Sequence, residues 1–424
     1  MARVYPLVIA SAHGVNIEDV DGNRFLDFNS GIAVMNLGYS HPSVVRAVKE
    51  QVRVLTHAAY LEFYSELPVR LSERLCKLIP GMGRTFLTNS GTESIEAAMK
   101  LARHYTKRKY FISFYGSFHG RSLGALSLTS SRVVQRQDFG PFLPVIHAPY
   151  ANPYRPLVGR EGDECAEAAL SYLNEAVFRT EVSPSEVAAI FVEPVQGEGG
   201  YVVPPKGFLR GLREICTKNG ILYVDDEVQA GCFRTGKFLA TEHFGVEPDI
   251  VCLSKALGGG LPIGAMVCKD ECMKWGPGSH SSTFGGNLLS CAAAVATLDA
   301  MKKEDVGRRA LRSGARILDS LRRTRSEVEQ VGDVRGLGMM IGLELVKDRA
   351  SKRYDPELRD RIVHEAFERG LSLLPAGESV VRIAPPLIMR DDDVDAGLDI
   401  LRDVVLEITH ARRPRPRRPS TSAS

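Results

Sequence analysis

Between about residues 84 and 300 short β-rich runs alternate with helical stretches, and no other feature of the chain constrains its fold so strongly. The runs read RTFLT, YFISF, AAIFVEP, ILYVDD, DIVCLS and PIGAMVC, with helical spacing in TESIEAAMKLARHYT and GFLRGLREICTKNG. Several runs are apolar at successive positions, as in strands buried on both faces of a mostly parallel sheet covered by helices on two sides. The expected class is α/β. Ahead of this region, GVNIEDVDGNRFLDF alternates around Asp21-Gly22 and predicts a hairpin with a two-residue turn. HPSVVRAVKEQV and LPVRLSERLCKLI predict helices that stop at Pro80-Gly81. After residue 300 come a long polar helix to about Glu329, VRGLGMMIGLELV, a helix over ELRDRIVHEAFERG, strands at LSLL and SVVRIA, and a closing helix. The expected division is an N-terminal hairpin segment at 1–40 that joins the smaller unit, a large ligand-binding α/β domain at 41–300, a small α+β domain at 301–409 and a basic tail at 410–424.

With 424 residues, 44% of them apolar, the chain is long enough for a large core and a cleft between domains. Five arginines crowd the tail (412, 413, 415, 417 and 418); without them 49 basic residues face 51 acidic ones, which argues against a nucleic-acid binder. The tail itself reads as a solvated, proline-broken extension. No run approaches the ~20 apolar residues of a membrane span and the N-terminus lacks a signal-peptide pattern, so the expected compartment is the cytoplasm, with no membrane partner. Eight cysteines contain no CxxC pair, which favours reduced structural thiols and no metal site.

Three segments carry chemistry. In DIVCLSKALGGGLPIGA an apolar strand delivers Lys255 to a glycine-rich turn. An isolated buried ammonium is costly, so the alternatives are a solvent-facing lysine and a reactive amine that forms a Schiff base. In ILYVDDEVQAG a strand ends in Asp225, Asp226 and Glu227. A carboxylate there meets a positive or protonated ligand nitrogen, and Val228, on the side of Asp226, can pack on a flat ring. The competing readings are a solvated acidic turn and a metal cluster, but successive side chains on an extended segment face opposite ways and cannot all converge. In TNSGTESIEAAMKLAR, Ser90, Gly91 and Thr92 stand where a strand becomes a helix, an anion seat suited to phosphate. An ordinary cap, with Thr92 and Glu96 near capping spacing, is the alternative.

Together SGTE, FHGR, EPVQGEGG, DDEVQ, SKALGGG and STFGGN closely resemble, in order and spacing, the class III (ω-amino acid) branch of the fold-type I pyridoxal-phosphate aminotransferases, over about residues 5–407. That branch holds 4-aminobutyrate, ornithine and acetylornithine aminotransferases, and the likeness is strongest to archaeal members, among whose relatives are amino-acid racemases. The resemblance implies pyridoxal 5′-phosphate as cofactor, Lys255 as Schiff-base lysine and proton carrier, and Asp226 paired with the pyridine nitrogen. It puts Phe118 and Val228 on the two ring faces, His119 beside the ring, Gln229 near its hydroxyl, and Ser90, Gly91 and Thr92 at the phosphate, joined by Thr283 from a neighbouring subunit. A homodimer or dimer of dimers with shared sites follows. For substrate it implies Arg121 for the distal carboxylate, Arg382 for the α-carboxylate of glutamate, Glu198 to neutralise Arg382 when an ω-amine is bound, and Ile32 lining the entrance. The expected reaction is ping-pong transamination from an amino-acid donor to a 2-oxo acid acceptor, 2-oxoglutarate, with an amino-acid racemase or epimerase of the same fold as the alternative. Departures from the family pattern are Cys232-Phe233, Leu288 where proline is common, and fewer residues than usual ahead of YPLVI.

Overall fold

The computed structural model describes residues 5–60 and 62–411. The arginine-rich segment at 412–424 lies outside the described residues, whereas His410 belongs to the closing helix Asp391–Ala411. The chain opens with β1 (Ile9–His13), β2 (Asn16–Asp19) and β3 (Arg24–Asp27). The β2–β3 hairpin forms, but its loop is longer than two residues. Asp19 N–H donates to the Asn23 carbonyl, and Val20, Asp21 and Gly22 lie between them. The Asp19 carboxylate accepts from the amides of Asp21 (3.0 Å) and Asn23 (2.8 Å), and Gly22 takes φ +84°. That side-chain capture closes the loop at Asn23 rather than across Asp21-Gly22.

The central sheet contains β4 (Arg84–Thr88), β5 (Tyr110–Phe114), β6 (Val145–Ala148), β7 (Val187–Val192), β8 (Leu222–Asp226), β9 (Ile250–Leu253) and β10 (Gly264–Cys268). Their order is β4-β10-β9-β8-β7-β5-β6. Only β10 runs against the rest; β4, antiparallel to β10, therefore points the same way as the parallel strands. Every residue of β7, β8, β9 and β10 is buried, because helices cover both faces. Phe111, Phe191 and Val224 pack with Ile95 and Leu101 of the helix Gly91–Thr106. Their chain neighbours Ile112, Ile190 and Tyr223 pack on the other face with Phe208 and Leu212 of the helix Lys206–Asn219. Each large apolar side chain so buried contributes roughly 1.5–3 kcal/mol.

The long polar helix expected after residue 300 is Val306–Glu327; the buried helix Leu288–Lys303 precedes it, the two parted at Asp305, whose φ of +50° no right-handed helix continues. Beyond them lie β11 (Val331–Leu337), β12 (Met340–Leu345), the helix Pro356–Glu368, β13 (Leu371–Ser372), β14 (Leu374–Ala376) and β15 (Val380–Ile383). LSLL is thus divided between two sheets. β14 completes the order β11-β12-β15-β14, and β13 pairs in parallel with β3, tying the N-terminal hairpin to the last third of the chain. Among the described residues no helix is long and apolar enough to cross a membrane.

The helix Val306–Glu327 seats on the β11–β12 turn at Gly314, where a Cβ would stand 2.0 Å from the Gly338 carbonyl oxygen. Gly314→Ala is expected to lose about 1–3 kcal/mol of stability through overpacking. Urea unfolding checks this: a lower midpoint with an unchanged slope is expected, and an unchanged midpoint contradicts the close approach.

Candidate active site

Because β4 runs with the parallel strands, five strands end on the same edge of the sheet, where ligands dock in folds of this type. β4 leads to Ser90, β5 to Phe118 and His119, β7 to Glu193, β8 to Asp226 and β9 to Lys255, and these residues surround a cavity of about 270 Å³. Gly91, Thr92, Arg121, Val228 and Gln229 complete its expected lining. A larger groove of about 750 Å³ lies between residues 303–312 and 389–392, and several of its lining side chains are engaged in ion pairs, among them Arg308 with Asp305 and Arg312 with Asp391.

The anion corner is the N-terminus of the helix Gly91–Thr106. The cap forms at Ser90 and Glu93 instead of Thr92 and Glu96: Ser90 Oγ accepts from Glu93 N–H (3.3 Å), and the Glu93 carboxylate accepts from Asn89 N–H (2.7 Å). Glu96 instead holds the neighbouring loop, accepting from Ser122 Oγ–H (2.5 Å) and Ala125 N–H (3.0 Å). The amides of Gly91 and Thr92, in the first turn, have no intrahelical acceptor. Side-chain space is absent here, since a Cβ on Gly91 would lie 2.8 Å from Val228 Cγ1, and one on Gly120 (φ +139°) would lie 2.3 Å from Thr92 Oγ1.

The three acids part as strand geometry requires. Asp226 faces the cavity, its Oδ2 2.7 Å from His119 Nδ1 and its Oδ1 accepting from Val228 N–H (3.0 Å). Asp225 and Glu227 are buried outside the cavity lining. Among the described residues neither Asp225 oxygen has a hydrogen-bond partner, and Glu227 Oε1 accepts from Thr241 N–H (2.9 Å). Burial, with Glu227 alongside, drives the Asp225 carboxyl well above the usual carboxylate range, and burial pushes Glu227 up to about 8.

Lys255 follows β9 in a single turn of 3₁₀ helix at φ +41°. Burial lowers its amine below the ordinary lysine value, against the opposing pull of Glu198, Asp226 and Glu193. Sequence reasoning missed Glu193, although it ends a fully apolar strand as Asp226 does, and the same logic would have found it. Its Oε1 accepts from Phe118 N–H and its Oε2 from Gly197 N–H, both at 2.9 Å, and burial raises its carboxyl to about 7. Ser254 also lines the cavity and was likewise missed.

Glu198 and Arg382 do not line the 270 Å³ cavity but pair beside it. Arg382 Nη1 lies 2.9 Å from Glu198 Oε1, and Nη2 donates to Oε2 at 3.1 Å. Burial raises the Glu198 carboxyl, but Arg382, then Lys255 and Arg132, outweigh it and hold the group below its ordinary value. Arg121 is exposed at the rim, its guanidinium 5.5 Å from the Phe118 ring centroid. Two further residues named in the sequence lie outside this cavity's lining. Ile32 is 40% exposed in a left-handed turn at Ser30–Ala33, outside the cavity lining, and Thr283 is exposed and lines no part of its own chain's cavity. The resemblance assigns Thr283 to the neighbouring subunit's site, which a single chain does not contain.

A model of the class-III aminotransferases matches residues 1–405. The chain belongs to that family. It is 38% identical over 411 residues to the alanine/serine racemase of Pyrococcus horikoshii, covering 95% of this chain and 86% of that protein. It is 38% identical over 411 residues to the 4-aminobutyrate aminotransferase of Mycobacterium leprae, covering 94% and 91%. Its structure superposes on the ornithine aminotransferase of Toxoplasma gondii, which has PLP at its active site, with a TM-score of 0.84 and 31% identity over 97% of this chain and 92% of that one. The fold is that of the fold-type I enzymes, and the cofactor of this class-III aminotransferase is pyridoxal 5′-phosphate.

The buried acids set a pH dependence. A carboxyl whose value is raised on folding keeps its proton in the native state, so its contribution to stability is full below the unfolded value near 4 and is lost as pH rises through the folded value. For Glu227 that window runs from about pH 4 to about 8. Melting temperatures between pH 5 and 8.5 are expected to fall less steeply in Glu227→Gln than in the unaltered protein, and equal slopes would contradict the protonated state.

Proposed function

We propose that the chain transfers the amino group of an ω-amino acid, of the 4-aminobutyrate, ornithine or acetylornithine type, to 2-oxoglutarate, through two half-reactions at one site. The Glu198–Arg382 pair beside Lys255 is the observation that carries this reading. One pocket must accept a carboxylate next to the reacting carbon in one half-reaction and none in the other, and an unpaired buried arginine is costly. Glu198 neutralises Arg382 while an ω-amine occupies the site and yields it to the α-carboxylate of glutamate. Arg121, at the rim, takes the distal carboxylate.

The cavity fits pyridoxal 5′-phosphate on features of its own. The amides of Gly91 and Thr92 lack intrahelical acceptors and suit a phosphate. Gln229 Oε1 is buried without a hydrogen-bond donor among the described residues and suits the ring hydroxyl. Asp226, tied to His119, would pair with the ring nitrogen and keep it protonated, between Phe118 and Val228 on the two ring faces. When bound, the cofactor supplies a carbonyl that links to amines and a protonated ring that accepts the electrons of a broken carbon–hydrogen bond. Lys255 Nζ, whose amine burial holds below the ordinary lysine value, would attach the cofactor and hold and move the proton at the substrate carbon.

A homodimer accords with the surface near Thr283. Phe284 beside it is exposed, its ring 5.1 Å from that of His57, and Leu55, Phe63 and Tyr64 are exposed as well. A second copy would cover them and bring its own Thr283 to the phosphate.

The P. horikoshii relative favours a second reading, amino-acid racemisation. Incubation with a single L-amino acid and no 2-oxo acid separates the two, because only a racemase then forms the D-amino acid.

Three variants test the reading. Glu198→Ala is expected to slow the ω-amine half-reaction about tenfold or more, equivalent to roughly 1.4 kcal/mol, while the glutamate half-reaction holds or quickens. Single-turnover absorbance measures both, and equal losses would remove the switch. Asp226→Asn is expected to bind the cofactor yet lose orders of magnitude in rate, whereas Asp225→Asn keeps most activity; steady-state assays that rank them the other way would make Asp225 the ring partner.

A further inference from the structure

If Glu198 releases Arg382 when glutamate binds, its carboxylate is left beside the site without a partner, and a buried unpaired charge is expensive. Arg382 does not move away in its stead. Its Nε and Nη2 donate to the Pro375 carbonyl at 3.1 and 2.8 Å, and its side chain is only 5% exposed. Among the described residues the Glu198 carboxylate meets Arg382 and no other hydrogen-bonding or ion-pairing group, and its side chain is 21% exposed, so the glutamate is the member free to turn.

A second cation stands within reach of that turn. Arg132 is partly buried, and among the described residues it makes no ion pair. Its Nη2 donates to the Gly377 carbonyl (2.6 Å), and Gly377 N–H in turn donates to the Glu198 carbonyl (2.9 Å). One residue therefore bridges the guanidinium to the backbone of the glutamate. Gly377 (φ +50°) permits this approach, since a Cβ there would lie 3.0 Å from the Gly199 carbonyl oxygen. The charge of Arg132 already acts on the Glu198 carboxyl, and the other nearby cation, Lys255, is committed to the cofactor in the reading above.

We propose that Arg132 is the standby counter-ion of Glu198, receiving its carboxylate when the α-carboxylate of glutamate occupies Arg382. The proposal rests on Glu198 being the switch. Arg132 is a positioning residue: it sets how readily the switch turns and touches no reacting atom.

The test measures both half-reactions by single-turnover absorbance on the holoenzyme, with 4-aminobutyrate or ornithine as donor and with glutamate. Arg132→Met is expected to weaken glutamate binding about tenfold or more while the ω-amine half-reaction stays within about twofold, because the closed pair needs no standby. Arg132→Lys, which keeps the charge and a donor for Gly377, is expected to restore most of the loss. In a Glu198→Ala background Arg132→Met is expected to add nothing, since no carboxylate remains to receive. If Arg132→Met loses its fold, Arg132→Gln, whose amide still donates to the Gly377 carbonyl, carries the same comparison. A glutamate half-reaction unaffected by either neutral variant overturns the proposal, as does an equal loss in the Glu198→Ala background, which would mean direct contact with substrate or loop support. Opposite responses of the two half-reactions to Glu198→Ala alone keep the switch even if Arg132 proves silent; equal losses there overturn both.

Discussion

Charge matching in a dry pocket is the constraint on which the rest of the structure depends. Lys255, Asp226, Glu193 and Glu198 gather at the carboxyl ends of parallel strands, and each buried ion must meet a counter-charge or a hydrogen bond. Asp226 has His119 and the Val228 amide, Glu193 has the amides of Phe118 and Gly197, and Glu198 has Arg382. Asp225 has no such partner among the described residues, and burial drives both it and Glu227, despite the Thr241 amide, toward the neutral acid. Adjacent carboxyls on one strand thus meet different surroundings because the strand turns them to opposite faces.

The Glu193 carboxylate also joins two parts of the site, gripping at once the loop that carries Phe118 and the turn that carries Glu198. From the other side Arg382 on β15, Gly377 between β14 and β15, and Arg335 on β11, which donates to the Gly200 carbonyl at 2.7 Å, hold the same turn. The turn that carries Glu198 is therefore held jointly by the central sheet and the C-terminal sheet. Glycines at 197, 199 and 200 allow this crowding: a Cβ on Gly197 would lie 2.4 Å from Gln229 Nε2.

Much of this was legible in the sequence. Unbroken apolar runs such as VAAIFV read as strands covered on both faces, and the opposed directions of Asp225 and Asp226 follow from the period of two. What escaped was set by contacts distant in sequence. The direction of β10 depends on its partners β4 and β9, and the split of LSLL depends on β3 claiming Leu371 and Ser372. The hairpin loop and the helix cap moved because the side chains of Asp19 and Glu93 chose acceptor roles that several spacings permit. Glu193 drew no notice because a lone acid before proline has an ordinary appearance, and only the fold turns it toward Lys255.

The central claim is that Lys255 is the amine to which the cofactor attaches. Borohydride reduction of the holoenzyme, followed by proteolysis and peptide mass mapping, tests it most directly. The account predicts one pyridoxyl-lysine, on the peptide containing Lys255. A label on another lysine, or none in protein that carries the cofactor, would contradict it.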